Sequence, residues 1–184
     1  ELKKRAELAK EMGGIERVAK HYSRGRLTVR ERIDKLLDKD TFHETGEITG
    51  KVTYDEEGEI KEFTPANFIF GRGMIDGREV VVAGDDFTVR GGAADARIGN
   101  KSLYSLKLAE HLRLPLVNLV DGSGGGGSVK TLETMGATYV PGLPSWQNIV
   151  RLLSIVPVVG ACMGSVAGLG SARVVASHFS IMVK

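Results

Sequence analysis

Glycines that separate two apolar segments give this sequence its clearest means of doing chemistry. The apolar run Val156 to Met163 is followed by Gly164, Gly168 and Gly170, and a second apolar run ends at Lys184. Glycine lets the main chain approach a ligand closely, and the first amides of a helix lack an internal acceptor. Such amides, with the helix dipole behind them, can hold negative charge on a carbonyl oxygen. A tight helix–strand contact would also require glycines here, and the residues alone leave both interpretations open.

A second glycine corner lies earlier in the chain. Arg90-Gly91-Gly92-Ala93 follows a predicted strand end at Phe87–Val89, and a segment with apolar residues at helical spacing comes next. Free amides near Gly92 and Ala93 would form another anion-binding corner. Two glycine corners after two strands indicate a ligand site more strongly than either corner alone.

A third glycine tract follows the short apolar strand Leu116–Val120. It runs from Asp121 to Ser128 as DGSGGGGS, a composition that is also typical of a flexible linker. It is not a phosphate-binding P-loop, because Lys130 does not stand where that motif requires its lysine. The tract therefore predicts either a linker or a loop at the end of a strand.

The elements that must position these glycines indicate a mixed α/β fold. The order strand, glycine turn, helix, strand over residues 156–184 predicts a parallel crossover, and ligands bind where such strands end. Phe68–Ile75 and Glu79–Ala83 flank Asp76-Gly77, the preferred pair for a tight hairpin turn. Trp146–Leu153 is predicted to be a helix.

The N-terminal residues predict helices. Apolar residues recur at spacings of three and four from Glu1 to Tyr22, with a possible break at Gly13-Gly14. Thr28 and Glu31 fit a capping box that opens another helix. The arginines around this helix favour a solvated, salt-bridged face, with a phosphate-contacting patch as the alternative. They are Arg24, Arg26, Arg30 and Arg32.

Composition excludes several classes of protein. The 184 residues are 42% hydrophobic with a formal net charge of +2, so one core is expected and a concentrated basic face for nucleic acid is not. The single cysteine, Cys162, favours a reducing compartment and is expected to be a small core residue. No apolar run is long enough to span a bilayer. We therefore expect a soluble, intracellular protein without nucleic-acid or membrane partners.

Four blocks in this order resemble the N-terminal half of the carboxyltransferase (beta) subunit of biotin-dependent acyl-CoA carboxylases of the propionyl-CoA and methylcrotonyl-CoA type. The blocks are SRGRLTVRERIDKLLD, GRGMIDGREVVVAGDDFTVRGG, PLVNLVDGSGG and VPVVGACMGSVAGLGSARVVASHFSIMVK. The resemblance implies a crotonase-like fold, a spiral of β-β-α units. It implies an N-terminal helical segment over residues 1–45 and an incomplete carboxyltransferase domain over residues 46–184.

The resemblance also implies a reaction and its partners. Biotin on a separate carrier protein would deliver CO2 from carboxybiotin to the α-carbon of an acyl-CoA through an enolate, with no metal. The implied partners are the acyl-CoA, a biotin carboxyl carrier protein or biotin carboxylase subunit, and further copies of the chain in a hexamer. The implied location is the cytoplasm of a bacterium or the mitochondrial matrix of a eukaryote.

The same resemblance assigns roles to backbone groups. By register, the family's oxyanion hole falls on the amides of Gly168 and Leu169. The expected acyl-CoA contacts are Gly91, Gly92, Ala93, Gly124 and Gly125. Such chemistry needs amide donors more than side-chain acids or bases, in keeping with four scattered histidines and no catalytic triad motif.

The sequence differs from the family pattern in three ways that bear on these assigned roles. Leu169 replaces a glycine, so a left-handed backbone there would cost energy. The tract after Asp121 lacks the family's arginine, which leaves the acyl group open. The chain ends at Lys184, before the expected domain is complete, so the segment alone is expected to be inactive. A decarboxylase of the same superfamily, a hydratase or isomerase of the same fold and a non-catalytic CoA-binding or assembly module are the alternatives.

Overall fold

The computed structural model describes residues 1–93, 98, 100–122, 132–133, 136–137 and 145–183. The helices are α1 Leu2–Lys10, α2 Ile15–Tyr22, α3 Val29–Leu36, α4 Lys101–Leu112, α5 Trp146–Leu153 and α6 Leu169–Val175. The strands are β1 His43–Glu44, β2 Gly50–Tyr54, β3 Ile60–Pro65, β4 Phe68–Ile75, β5 Arg78–Asp85, β6 Leu116–Gly122, β7 Val158–Val166 and β8 Phe179–Met182. A short 3₁₀ turn covers Arg90–Gly92.

Six of these strands form one sheet in the order β1-β4-β5-β6-β7-β8. The pairs β1/β4 and β4/β5 are antiparallel, and β5/β6, β6/β7 and β7/β8 are parallel. The predicted hairpin is confirmed, because β4 and β5 pair in register around Asp76-Gly77. The predicted crossover is confirmed as well, since α6 joins the parallel strands β7 and β8. The remaining strands, β2 and β3, form a separate hairpin.

Strand β5 lies in the middle of the core and is buried on both faces. Val81 and Ala83 point to one face, where α4 and α5 pack. Val80 and Val82 point to the other face, against α3. All four residues are at most 6% exposed. The sheet is therefore the middle of three layers, and the strand ends between the helices are where a ligand can reach the backbone.

The N-terminal helices are built as the sequence predicts. Helix α1 ends before Gly13-Gly14, and α2 starts directly after them. The capping box of α3 is formed: the Glu31 amide donates to Thr28 Oγ1, and the Thr28 amide donates to Glu31 Oε2 at 2.8 Å. Because α3 packs into the sheet core, the cap fixes a helix that covers one face of the sheet.

Two sequence expectations need correction. The strand before the first glycine corner ends at Asp85, and Phe87–Val89 form a turn. The cause is the Asp86 side chain, whose Oδ1 accepts hydrogen bonds from the amide and hydroxyl of Thr88 and so turns the chain. Cys162 lies on β7 as expected, but it is only partly buried.

The predicted division at residue 45 stays a prediction. Helix α3 lies before that boundary and packs on β4 and β5, which lie after it. Within the described residues, no helix is long and apolar enough to cross a bilayer.

Candidate functional site

The two glycine corners meet at the C-terminal ends of three parallel strands. Strand β6 ends at Gly122, between the end of β5 and the end of β7. Gly122 pairs with Val166 in the ladder, two residues before Gly168. Neighbouring strands lie about 4.8 Å apart, so the second corner stands directly beside the end of β6. Ends of parallel strands are where α/β folds bind ligands.

The first corner is a left-handed turn held against β6. Arg90, Gly91 and Gly92 have φ of 52°, 64° and 67°, and the Ala93 amide closes the turn on the Arg90 carbonyl at 3.2 Å. A Cβ on Gly122 would overlap the carbonyl oxygen of Gly91, and one on Gly92 would lie 2.5 Å from the carbonyl oxygen of Asp121. Both glycines are therefore required for the main chains to come this close.

The second corner presents backbone amides at the start of α6. Gly168 is the residue before the helix, with φ of 57° and ψ of −124°, and it is exposed. Leu169 is the first helical residue and is partly buried. Neither amide has a hydrogen-bond acceptor anywhere in the part of the chain that the structure describes. The left-handed conformation falls on Gly168 and not on Leu169, so the leucine is accommodated without backbone strain.

Two ion pairs, one buried and one partly buried, hold the strand ends together. Arg32 of α3 donates to Asp121 Oδ2 at 2.7 Å and to the Met163 carbonyl at 3.3 Å. Arg173 of α6 donates to Asp85 Oδ2. The two carboxylates are themselves linked, because the Asp121 amide donates to Asp85 Oδ2 at 3.3 Å. The ends of β5, β6 and β7 are thereby tied to α3 on one face and to α6 on the other.

The prediction of a solvated, salt-bridged arginine face is confirmed for the salt bridges of Arg30 and Arg32 and is wrong for the solvation of Arg32. Arg32 is 8% exposed and fully engaged in the ion pair described above. Arg30 pairs with Glu44 at 2.7 Å, and Arg26 lies over the Phe87 ring at 5.7 Å. Of these four arginines, Arg24 alone is exposed. Arg30 and Arg32, the two that lie on α3, differ in burial because their side chains point in different directions from the helix, and one face of α3 lies in the core.

One carboxyl at the first corner has an altered acidity. Asp86 is 2% exposed, and burial raises its pKa above the ordinary value of 3.8, although the hydrogen bonds from Thr88 oppose this effect. Thr88 Oγ1 also accepts a hydrogen bond from the Gly13 amide at 2.9 Å. Asp86 is therefore the centre of a small polar network that joins the α1–α2 turn to the glycine corner.

The structure brings most of the predicted site residues together. Gly91, Gly92 and Ala93 lie on one side of the end of β6, and Gly168 and Leu169 lie on the other. Gly124 and Gly125 lie outside the described residues. Sequence reasoning missed the acid–arginine pairs that frame the site. The sequence does indicate the acids of these pairs, since Asp85 and Asp121 each stand at the end of an apolar strand.

Comparison with known proteins identifies the family. Residues 20–184 match the Carboxyl transferase domain. This chain belongs to the carboxyl transferase family. The carboxyltransferase subunit of a propionyl-CoA carboxylase from Haloferax mediterranei is 29% identical over 100% of this chain and 35% of its own length. The methylmalonyl-CoA decarboxylase subunit alpha of Veillonella parvula is 30% identical over 94% of this chain and 33% of its own length.

A solved carboxyl transferase has the same architecture. The crystal structure of transcarboxylase 12S, a hexamer solved with methylmalonyl-coenzyme A and methylmalonic acid bound, superposes with a TM-score of 0.76 at 28% identity. The match covers 98% of this chain and 34% of that chain. The fold of this carboxyl transferase chain is crotonase-like, as expected. The chain spans about a third of the length of the relatives that it matches.

Proposed function

We propose that this chain carries the acyl-CoA half of the active site of a biotin-dependent acyl-CoA carboxylase. The observation that carries the proposal is the pair of amides at Gly168 and Leu169, which have no acceptor among the described residues at the C-terminal end of β7. These amides would bind the thioester oxygen as it gains charge in the enolate. One donor of this kind contributes on the order of 10²–10³ in rate.

The side chains around the amides fit this chemistry. Biotin on its carrier would supply the carboxyl group and a nitrogen that takes the α-proton of the acyl-CoA. The nearby carboxylates of Asp85 and Asp121 are each ion-paired with an arginine, so they are poorly placed to act as general bases. This favours a reaction whose acid–base work comes from the transferred group. It disfavours the hydratase or isomerase alternative, which uses a free carboxylate.

The first corner is proposed to hold the acyl-CoA. Gly91, Gly92 and Ala93 form a rigid turn whose main chain faces the end of β6, and the close approach at Gly122 fixes its position. Gly124 and Gly125 are proposed to line the same pocket. We also propose that the complete protein is a homo-oligomer, because the neighbour transcarboxylase 12S assembles as a hexamer.

The decarboxylase direction is the second candidate. One relative is named as a methylmalonyl-CoA decarboxylase subunit at 30% identity. The same two amides would stabilise the same enolate when a carboxyl group leaves a malonyl-type thioester for biotin. The amides at this site serve either direction, so the direction has to be decided by assay.

The test is a carboxyl-exchange assay on the polypeptide that carries this chain. The labelled carboxyl group of a malonyl-type CoA thioester is followed into free biotin or a biotinylated carrier, across a panel of acyl groups. We expect exchange that requires both the thioester and biotin, with one acyl group preferred. Tight CoA binding without exchange would contradict the proposal and would identify the chain as a binding or assembly module.

A further inference from the structure

One buried carboxylate links the two glycine corners. Asp85 Oδ2 accepts a hydrogen bond from the Asp121 amide at 3.3 Å and another from the Arg173 guanidinium. The Cβ of Asp85 lies against the first corner, since a Cβ on Gly92 would stand 3.6 Å from it. Asp85 is 1% exposed. It therefore contacts the first corner and the end of β6 and, through Arg173, the helix of the second corner.

Arg173 lies on α6, the helix whose first amides are proposed to bind the thioester oxygen. It stands four positions after Leu169, and helical side chains lean towards the N-terminus, so its side chain is directed towards the turn that carries the Leu169 amide. Its guanidinium carbon lies 5.8 Å from the centre of the Phe68 ring. Phe68 pairs with Asp85 across β4 and β5. A ring and a carboxylate from two neighbouring strands therefore hold the guanidinium in place.

The opposite end of α6 is anchored separately. A Cβ on Gly160 would stand 2.8 Å from the Val174 carbonyl oxygen, and Ser177 Oγ donates to the same oxygen at 2.6 Å. At the N-terminal end, no described side chain caps the helix, and the bond from Ser171 Oγ to the Val166 carbonyl is exposed. Arg173 thus supplies a largely buried side-chain link from α6 to β5.

We propose that Arg173, through its pair with Asp85, positions the amides of Gly168 and Leu169 for catalysis. The inference rests on the proposed function. Arg173 is a positioning residue: it holds α6 at a fixed distance from the first corner, where the acyl-CoA is proposed to bind. Amides stabilise an enolate only when they lie within hydrogen-bond distance of the oxygen that gains charge. A misplacement of about 1 Å costs on the order of 10²-fold in rate.

The test measures kcat and KM for carboxyl exchange, together with unfolding curves, in variants of the polypeptide that carries this chain. Arg173→Met alone leaves the buried Asp85 carboxylate without its cation, which destabilises the fold. The informative variant is therefore the double substitution Arg173→Met, Asp85→Asn. Neither charge remains in it, and the asparagine oxygen can still accept from the Asp121 amide.

The double variant is expected to regain the stability that Arg173→Met loses, but not the rate. We expect its kcat to fall about 10- to 100-fold while its KM for the thioester stays within about threefold of the wild type, because the amides act mainly on the transition state. Arg173→Lys is the conservative variant, since lysine keeps the charge without the planar fork. Its kcat is expected to lie between those of the double variant and the wild type.

Arg151→Met is the matched control. It breaks the Arg151–Glu110 pair at 2.7 Å, which joins α5 to α4 and leaves the arginine exposed. Both kcat and KM are expected to stay within about twofold of the wild type, since exposed pairs contribute little. A similar loss of kcat in this variant would overturn the inference, because any lost arginine pair would then slow exchange.

The outcomes separate this inference from the proposed function. A folded double variant with the kcat of the wild type overturns the inference and leaves the proposed function standing. A kcat that recovers together with stability also overturns it, since Arg173 would then be only structural. A rise in KM at unchanged kcat overturns it too, because the pair would then act on binding. A wild type without exchange contradicts the proposed function, and the inference fails with it.

Discussion

At the scale of single residues, the site depends on charges that are buried in pairs. Arg32 and Asp121 are 8% and 0% exposed, and Asp121 also lies against Gly164, where a Cβ would stand 2.5 Å from Oδ1. A buried carboxylate with a close guanidinium is tolerable, whereas the same carboxylate alone is not. The pairs therefore keep the strand ends fixed while the amides of the neighbouring corner stay available.

Arg32→Met is expected to lower the free energy of unfolding by about 3–5 kcal/mol, because it leaves Asp121 buried without its counter-charge. Urea denaturation measures this change. The control is Arg72→Met, which breaks the exposed Arg72–Glu79 pair at 3.9 Å and is expected to cost less than about 1 kcal/mol. Similar losses in the two variants would show that the buried pair has no special role.

Asp86→Asn is expected to raise the stability at neutral pH. Burial raises the pKa of Asp86 above 3.8, so the folded state binds its proton more tightly than the unfolded state does. The carboxyl thus favours folding at low pH, and this contribution is lost as the pH rises through the folded-state pKa. Asparagine keeps an oxygen that can accept from Thr88 and carries no charge.

The measurement is urea denaturation of wild type and Asp86→Asn across the acid range. The advantage of the variant should shrink as the pH falls below the raised pKa and should be full near neutral pH. A variant that is less stable than wild type at neutral pH would show that the charged carboxylate stabilises the corner, against this account.

The residue-scale contacts could be predicted only in part. The capping box was readable because Thr28 and Glu31 stand three positions apart on one helix. The Arg32–Asp121 pair joins residues 89 positions apart, and no local pattern indicates which acid an arginine will meet. The prediction of a solvated arginine face is wrong at Arg32 for this reason.

At the scale of elements, the site is made by turns that allow main chains to touch. Gly122 has φ of 80°, and the main-chain carbonyl of Gly91 in the first corner lies directly against it. Any side chain at position 122, the last residue of β6, would push the first corner away from the sheet. Conformational freedom and lack of a Cβ are both needed there.

Gly122→Ala is expected to be much more destabilising than Gly58→Ala. Both glycines have φ near 80°, so alanine costs about 1–2 kcal/mol of backbone energy at either position. Gly58 has open space around it, whereas alanine at position 122 would also overlap the Gly91 carbonyl. This overlap should add about 1–3 kcal/mol. Thermal or urea unfolding of the two variants gives the difference, and equal losses would contradict the close approach described here.

The existence and order of helices and strands were easier to predict from the sequence than the residues at which they end. The hairpin, the helix Trp146–Leu153 and the strand–helix–strand order at the second corner were all indicated by periodicity and turn residues. The strand predicted to end at Phe87–Val89 stops at Asp85, because the side chain of Asp86 bonds to the backbone of Thr88. Such side-chain bonds compete with strand pairing, and their outcome depends on the tertiary setting.

At the scale of the whole molecule, one mixed sheet brings distant corners to one edge. Three parallel strands place the ends of β5, β6 and β7 side by side, with α3 on one face and α4, α5 and α6 on the other. The sequence resemblance supplied the fold class, which the comparisons confirm. The juxtaposition of Gly91 with Gly122 came only from the structure, because strand order is set by packing across the sheet.

The central claim is that the main-chain amides of the second corner stabilise charge on the thioester oxygen. Leu169→Pro removes one of these amides, and proline is well tolerated at the first position of a helix. Gly168 has no Cβ, and its ψ of −124° lies far from the α-helical values at which a residue clashes with a following proline ring. Leu169→Ala is the matched control, since it shortens the same side chain and keeps the amide.

The decisive measurement is kcat for carboxyl exchange in these two variants of the polypeptide that carries this chain, alongside their unfolding curves. The account predicts that Leu169→Pro loses about 10²–10³ in kcat while folding normally, and that Leu169→Ala stays within about tenfold of wild type. A folded Leu169→Pro variant that turns over like Leu169→Ala would contradict the account, because the reaction would then proceed without that amide.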